Sequence, residues 1–152
     1  MISLRPATEA DFATIKALIH HARINPTGLE WHRFTVATSR LAMSEDERSE
    51  VIGCIQLKTL PGKQVELASL VVRNDFRGQG IARKLIEHIL ADSPRPLYLT
   101  CRSGLGNFYR KFGFDALSEK ELPRYYRRLK RLVEIYTKIT RRNETLLVMK
   151  LG

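Results

Sequence analysis

The chain has 152 residues, 43% hydrophobic and 28% charged, which suits an ordinary globular core and excludes a disordered or fibrous chain. No apolar run approaches the ~20 residues of a membrane span, and two cysteines without CxxC spacing plus four histidines without HExxH argue against a disulfide framework or a structural metal. The formal charge of +10 favours an anionic partner: nucleic acid, an acidic protein or a phosphate-rich cofactor.

The opening MISLRPATEADF lacks the basic-then-apolar layout of a signal peptide, so a cytoplasmic location is expected and a membrane partner is not. ISLRPA alternates like a strand, and Thr8 to Asp11 supply helix-capping chemistry. ADFATIKALIHHARI sets Phe12, Ile15, Leu18, Ile19 and Ala22 at helical spacing, and NPTG ends the pattern. FTVATS (34–39) and VIGCIQLKT (51–59) read as strands joined by the acidic loop MSEDERSE. LPGK is a turn, and VELASLVV (65–72) is the second arm of a hairpin. A helix from Gly80 turns Ile81, Leu85, Ile86, Ile89 and Leu90 to one face, and SPRP closes it. PLYLTC is a strand, and GNFYRKFG is a short helix capped by Gly113. The basic segment LPRYYRRLKRLVEIYTKI predicts a helix with Leu122, Tyr125 or Tyr126, Leu129, Leu132, Val133 and Tyr136 on its apolar face, and TLLVMKL is a last strand. With no linker or repeat, residues 1–152 form one domain: a mixed sheet with helices packed on it, not a doubly wound parallel fold.

The chemistry concentrates in VVRNDFRGQGIARKL, residues 71–85. A strand that runs through a Gly-rich turn into a helix traps anions, because the first helical N–H groups lack internal partners and the helix dipole favours negative charge. Gly78 and Gly80 let an anion approach the backbone, and Arg77 and Arg83 bracket the turn with guanidinium groups suited to phosphate. No GxxxxGK[ST] is present, and Gly78-Gln79-Gly80-Ile81-Ala82-Arg83 ends in arginine where a dinucleotide fingerprint needs glycine.

Arg77-Gly78-Gln79-Gly80-Ile81-Ala82 resembles the (Q/R)xxGx(G/A) signature of the GCN5-related N-acetyltransferase (GNAT) superfamily, with ELASLVV before it and FYRKFGF after it also matching. The resemblance implies a GNAT fold, a mixed and mostly antiparallel α+β sheet of six to seven strands flanked by helices. It also implies acetyl-coenzyme A as cosubstrate, with pyrophosphate on the N–H groups of Gln79, Gly80, Ile81, Ala82 and Arg83. A bulge in the preceding strand would free backbone groups of Leu70, Val71 and Val72 for the pantetheine arm and thioester carbonyl. Two departures stand out: Asn74 replaces a common proline, and the short RSGLG link omits an asparagine that many relatives place there, Asn107 lying too close to Tyr109 to replace it.

Amide formation requires an amine to lose a proton and a thiolate to gain one. The resemblance makes Tyr109 the candidate acid and Glu66, four residues before Leu70 in its strand, the candidate base, with a water chain or another residue as the alternative base. Strand alternation places Glu66, Ala68 and Leu70 on one face and Val65, Leu67 and Ser69 on the other. Direct transfer in a ternary complex ranks above a covalent route through Cys101. The acceptor is an amine on a small molecule or, by preference, a protein or peptide; Glu30 and Trp31 are candidates to hold it. Alternative readings are a non-catalytic acyl-coenzyme A sensor and, ranked last, a basic nucleic-acid-binding module; a monomer and a homodimer are both compatible.

Overall fold

The computed structural model describes residues 1–40, 48–140 and 145–152. In chain order the elements are β1 (Ile2–Pro6), α1 (Phe12–His21), β2 (Phe34–Arg40), β3 (Ser49–Thr59), β4 (Val65–Val72), α2 (Ile81–Asp92), β5 (Leu97–Arg102), α3 (Gly106–Arg110), β6 (Asp115–Ala116), α4 (Arg124–Thr140) and β7 (Leu146–Leu151). The hydrogen-bonded strand order is β1-β2-β3-β4-β5-β7-β6, with the β4–β5 pair parallel and pairs β1–β2, β2–β3, β5–β7 and β6–β7 antiparallel. This is the mixed, mostly antiparallel sheet with flanking helices. The expected acidic loop at 43–50 is shortened by β3, which already includes Ser49 and Glu50; residues 43–47 lie outside the described residues. The two-residue β6 has too little alternation to announce itself in sequence.

Two compact units emerge, one comprising residues 1–58 and 67–93, the other residues 59–66 and 94–152. In the first, β2 and β3 carry a helix on each face. Phe34, Val36 and Cys54 pack with Ile15, Leu18 and Ile19 of α1. On the opposite face a side chain at Gly53 would meet Leu85 of α2 and Ala37. The β2–β3 register slips between Ala37 and Thr38, so Ala37 faces Gly53 whereas Thr38 faces Val51. Ile52 is therefore an extra residue, and this bulge lets both Val51 and Cys54 contribute to the α1 core. At the start of α1, Arg5 makes a two-pronged bond to Asp11 (2.7 and 2.9 Å), and Asp11 also accepts the Thr8 backbone N–H at 2.7 Å. The Arg5 pairing holds the Asp11 carboxyl down to about 2.

In the second unit, Tyr98, Val148, Leu122 and Tyr126 form a buried cluster under α4, with Leu60, Leu117, Tyr125 and Leu129 against it. The long apolar face expected for this helix is only partly used: Tyr126 is fully buried, but Leu132 is 64% exposed and Tyr136 55%. A helix longer than the sheet surface beneath it cannot bury its whole stripe.

Candidate active site

The irregularity expected in β4 is present, one residue before the expected place. Ser69 has φ +56°, a left-handed conformation that an L residue adopts only under constraint. Two neighbours on β3 supply that constraint. The wholly buried Gln56 donates from Nε2 to Ser69 Oγ at 2.7 Å, and Cys54 Sγ donates to the Ser69 carbonyl at 3.5 Å. Burial pushes the Cys54 thiol up to about 12, so it remains a donor, although a Val71 backbone hydrogen bond opposes the shift. A left-handed residue also breaks strict alternation. The expected assignment of odd and even residues to opposite faces therefore fails beyond Ser69, and Val71 and Val72 are both buried. Neither Gln56 nor Cys54 was singled out by sequence; a polar residue amid the apolar run of β3 was the available signal.

The turn after β4 begins with a clamp. Arg73 bonds Asp75 through two nitrogens, at 2.7 and 2.9 Å, and also bonds Glu50. Those carboxylates, Asp75 first, hold the guanidinium well above its ordinary value. Arg77 then donates to the Val72 carbonyl at 3.3 Å. Gly78 and Gly80 take φ +79° and +76°, and a Cβ built on either meets nothing within 4 Å. Both the backbone conformation and the open space therefore fit glycine under a ligand. Gly80 is the N-cap of α2, and its carbonyl accepts the Lys84 N–H at 3.1 Å. The N–H groups of Ile81, Ala82 and Arg83 precede that first helical bond and have no α-helical acceptor. The Arg83 side chain pairs with Glu87 at 2.8 Å, one helical turn on. Spacing of i to i+4 on an exposed helix face is the reason.

Beside the turn lies a cavity of about 530 Å³, lined by Val71, Val72, Asn74 and Arg77, with Leu18 and His21 of α1 on its far wall. It brings together three of the residues expected to hold a cofactor: Val71, Val72 and Arg77.

In the second unit, Glu66 stands opposite Tyr98 in the parallel β4–β5 pair and is 9% exposed. Its carboxylate accepts the Tyr126 hydroxyl at 2.6 Å. Burial, and then the Glu66 charge, hold the Tyr126 phenol far above its ordinary value, so Tyr126 stays protonated and donates. Its ring packs on Tyr98 with centroids 5.6 Å apart. Tyr109, at the end of α3, is 9% exposed, and its ring meets Phe108 and Phe114 edge-on. Burial first, then Cys101, push its hydroxyl up to about 12. Cys101 is buried and pushed up by the same desolvation, against the opposing charge of Arg110, so the thiol form is favoured and a nucleophilic role is not. Alternation along β5 sets Cys101 on the face opposite Tyr98. The two candidate proton carriers therefore belong to different faces of the strand pair: Glu66 with Tyr98 and α4, Tyr109 with Cys101.

The acceptor candidates fare less well. Glu30 is already paired with Arg33 and lies 3.6 Å from His32, so its charge is committed locally. Trp31 meets the His32 ring edge-on at 5.7 Å. Asn107 accepts a hydrogen bond from Arg110 at 2.8 Å. Among the described residues no group of three or more His, Cys, Asp or Glu could hold a metal ion.

The profile of the acetyltransferase (GNAT) domain matches residues 30–116. A search of curated proteins found no match. Among solved structures, N-acetylglutamate synthase from Neisseria gonorrhoeae, complexed with coenzyme A and N-acetyl-glutamate, is similar over 100% of this chain with 23% identity and a TM-score of 0.65. This chain spans only 35% of that protein's length. Rv2747 from Mycobacterium tuberculosis, in complex with CoA, is similar over 99% of both chains at 18% identity and TM-score 0.67. A chain of the NatC complex bound to Gag peptide and CoA is similar over 99% of this chain and 98% of its own, at 20% identity and TM-score 0.66. At these identities the likeness establishes the fold.

Proposed function

The chain belongs to the GNAT family of acetyltransferases, acetyl-coenzyme A-dependent enzymes, and from that premise we propose that it transfers the acetyl group directly to a primary amine within a ternary complex, with a peptide or protein amine as acceptor. The observation that carries the reading is the turn from Gly78 to Arg83. Two left-handed glycines with open space above them precede a helix whose first N–H groups lack an α-helical acceptor. That chemistry fits a diphosphate. Gln79, Gly80, Ile81, Ala82 and Arg83 would hold it through their main-chain N–H groups, with Arg77 alongside.

The residues just after Ser69 are assigned to the acyl end. A strand interrupted by a left-handed residue leaves main-chain donors and acceptors of Leu70, Val71 and Val72 without regular ladder partners. An N–H there would stabilise the oxyanion that develops on the thioester carbonyl. Glu66 is the base that takes the proton from the incoming ammonium. Tyr126 orients it, because a hydrogen bond at 2.6 Å fixes the carboxylate plane. Tyr109 is the acid that protonates the departing thiolate. Its hydroxyl, pushed up to about 12 by burial, is protonated at neutral pH and so has a proton to give. Proton removal and proton delivery are thus divided between two groups: Glu66 gains a proton and Tyr109 gives one up in each transfer.

A protein or peptide acceptor is favoured by charge. A net +10 chain disfavours polyamines and other polycations and favours amines set among acidic residues. The NatC neighbour, bound to a peptide, makes this class a natural first test.

The experiment is a panel of amines, with acidic and basic peptides included, incubated with acetyl-coenzyme A and read by release of free thiol. Glu66→Gln and Tyr109→Phe should each lower kcat by about 10²–10⁴-fold, with coenzyme affinity by calorimetry nearly unchanged. Gly80→Glu should abolish that affinity. Full turnover in both proton-carrier variants, or an undiminished heat of binding in Gly80→Glu, would refute the assignment.

A further inference from the structure

Part of α4 is not explained by acetyl transfer. It carries six basic residues, Arg124, Arg127, Arg128, Lys130, Arg131 and Lys138, against one acidic residue, Glu134. Only its inner edge is packed, with Tyr126 fully buried and Leu129 and Val133 half-buried. Further round the helix, Leu132, Ile135 and Ile139 are 64%, 51% and 77% exposed. At about 100° per residue these three and Tyr136 occupy roughly a quarter of the circumference. They form a continuous apolar ridge, and Arg128 and Arg131 lie at its N-terminal end with Arg124 one further turn back.

We propose that this face of α4 docks on the anionic phospholipid surface of a membrane, with the helix lying in the interface: Leu132, Ile135 and Ile139 enter the headgroup–acyl boundary and the arginines engage lipid phosphates. A basic amphipathic helix with an unburied aliphatic ridge has the composition of an interfacial helix. It lies on the bilayer and does not cross it, for among the described residues no helix is long and apolar enough to span one. This runs against the expectation of no membrane partner, which rested on the lack of an apolar run long enough for a span.

The observations disfavour the other occupants. A second copy would bring an equally basic helix against this one, and the whole chain carries +10. Nucleic acid satisfies the arginines but offers nothing to three aliphatic side chains. A folded protein partner needs roughly 800 Å² of complementary surface on each side, more than a convex ridge of four side chains supplies. A membrane requires no shape complementarity, and the attraction of each cation to an anionic leaflet adds to the others.

The test is flotation of the full chain with vesicles of phosphatidylcholine alone, or with about 30% phosphatidylserine, at low and high salt. The chain should float with anionic vesicles only, and salt should weaken it. Leu132→Ser/Ile139→Ser and Arg128→Glu/Arg131→Glu should each reduce the floated fraction at least about tenfold. These residues are solvent-exposed, so circular dichroism and acetyl-coenzyme A binding should be unchanged, which separates this proposal from the catalytic one. Absence of flotation, or flotation that survives Leu132→Ser/Ile139→Ser, would overturn it. So would concentration-dependent self-association abolished by that variant, or tight oligonucleotide binding without flotation.

Discussion

Ser69 offers the sharpest test of how β4 is built. In a regular strand glycine is less stable than alanine by about 0.5–1 kcal/mol, because the glycine chain has more freedom to lose on folding. At φ +56° the order should reverse. A left-handed conformation costs an L residue about 1–2 kcal/mol, and glycine is spared that cost, so Ser69→Gly should be more stable than Ser69→Ala by about 0.5–1 kcal/mol. Both variants lose the 2.7 Å bond from Gln56, whose Oε1 already lacks a partner in the buried interior. Stranding that carboxamide costs about 1–3 kcal/mol, so Ser69→Ala should fall below the parent by that amount and Ser69→Gly by less. Urea unfolding of the three proteins gives the comparison directly; a difference of 1 kcal/mol moves Tm by about 2–4 °C at this chain length. An alanine variant more stable than the glycine variant would mean that residue 69 is ordinary strand, and the strand break on which the acyl-end assignment depends would fall with it.

Three further outcomes are expected. Gly53→Ala places a methyl 3.1 Å from the Val71 carbonyl and 3.4 Å from Leu85; overpacking should cost about 1–3 kcal/mol, and steady-state kinetics should show a raised KM for acetyl-coenzyme A with a smaller change in kcat. Tyr126→Phe removes a hydrogen bond to a buried carboxylate, worth about 1.5–3 kcal/mol. The acid limb of kcat/KM should move to higher pH, since Glu66 loses the donor that favours its charged form; an unmoved profile would argue against Glu66 as base. Asp11 is held at about 2 against an ordinary 3.8, a depressed value, so its stabilising contribution is present above pH 3.8 and is lost as pH falls toward 2. Asp11→Asn should flatten that part of the pH dependence of the urea midpoint while lowering stability at neutral pH.

Much of the fold could be read from the chain because its signals are local. The helix of α1 followed from Ile15, Leu18 and Ile19, and those residues do form its buried side. The turn after β4 followed from two glycines in three residues, and both adopt the left-handed conformation that only glycine takes cheaply. Glu66 and Tyr109 were singled out by motif, and both are buried. Other features had no local signal. The Arg73 clamp joins Glu50 to Asp75 across strands, and the Gln56–Ser69 bond depends on β3–β4 register, which no sequence period reports.

The instructive case is α4. Helical periodicity measures how much of a helix is apolar, and here that arc is wide, taking in Tyr126, Leu129, Leu132, Val133, Ile135 and Ile139. It does not say which part of the arc the protein covers. The inner edge is used twice over, to fill the cluster with Tyr98 and Val148 and to deliver the Tyr126 hydroxyl to Glu66. The remainder stays in water, with Ile139 77% exposed. Isolated exposed apolar residues are common and need no explanation, but a contiguous ridge on a cationic helix has a standing free-energy incentive to find cover. A helix placed only to support Glu66 could have carried serine or lysine at 132, 135 and 139 without loss of packing. Those three aliphatic residues therefore point outward in a functional sense as well as a geometric one.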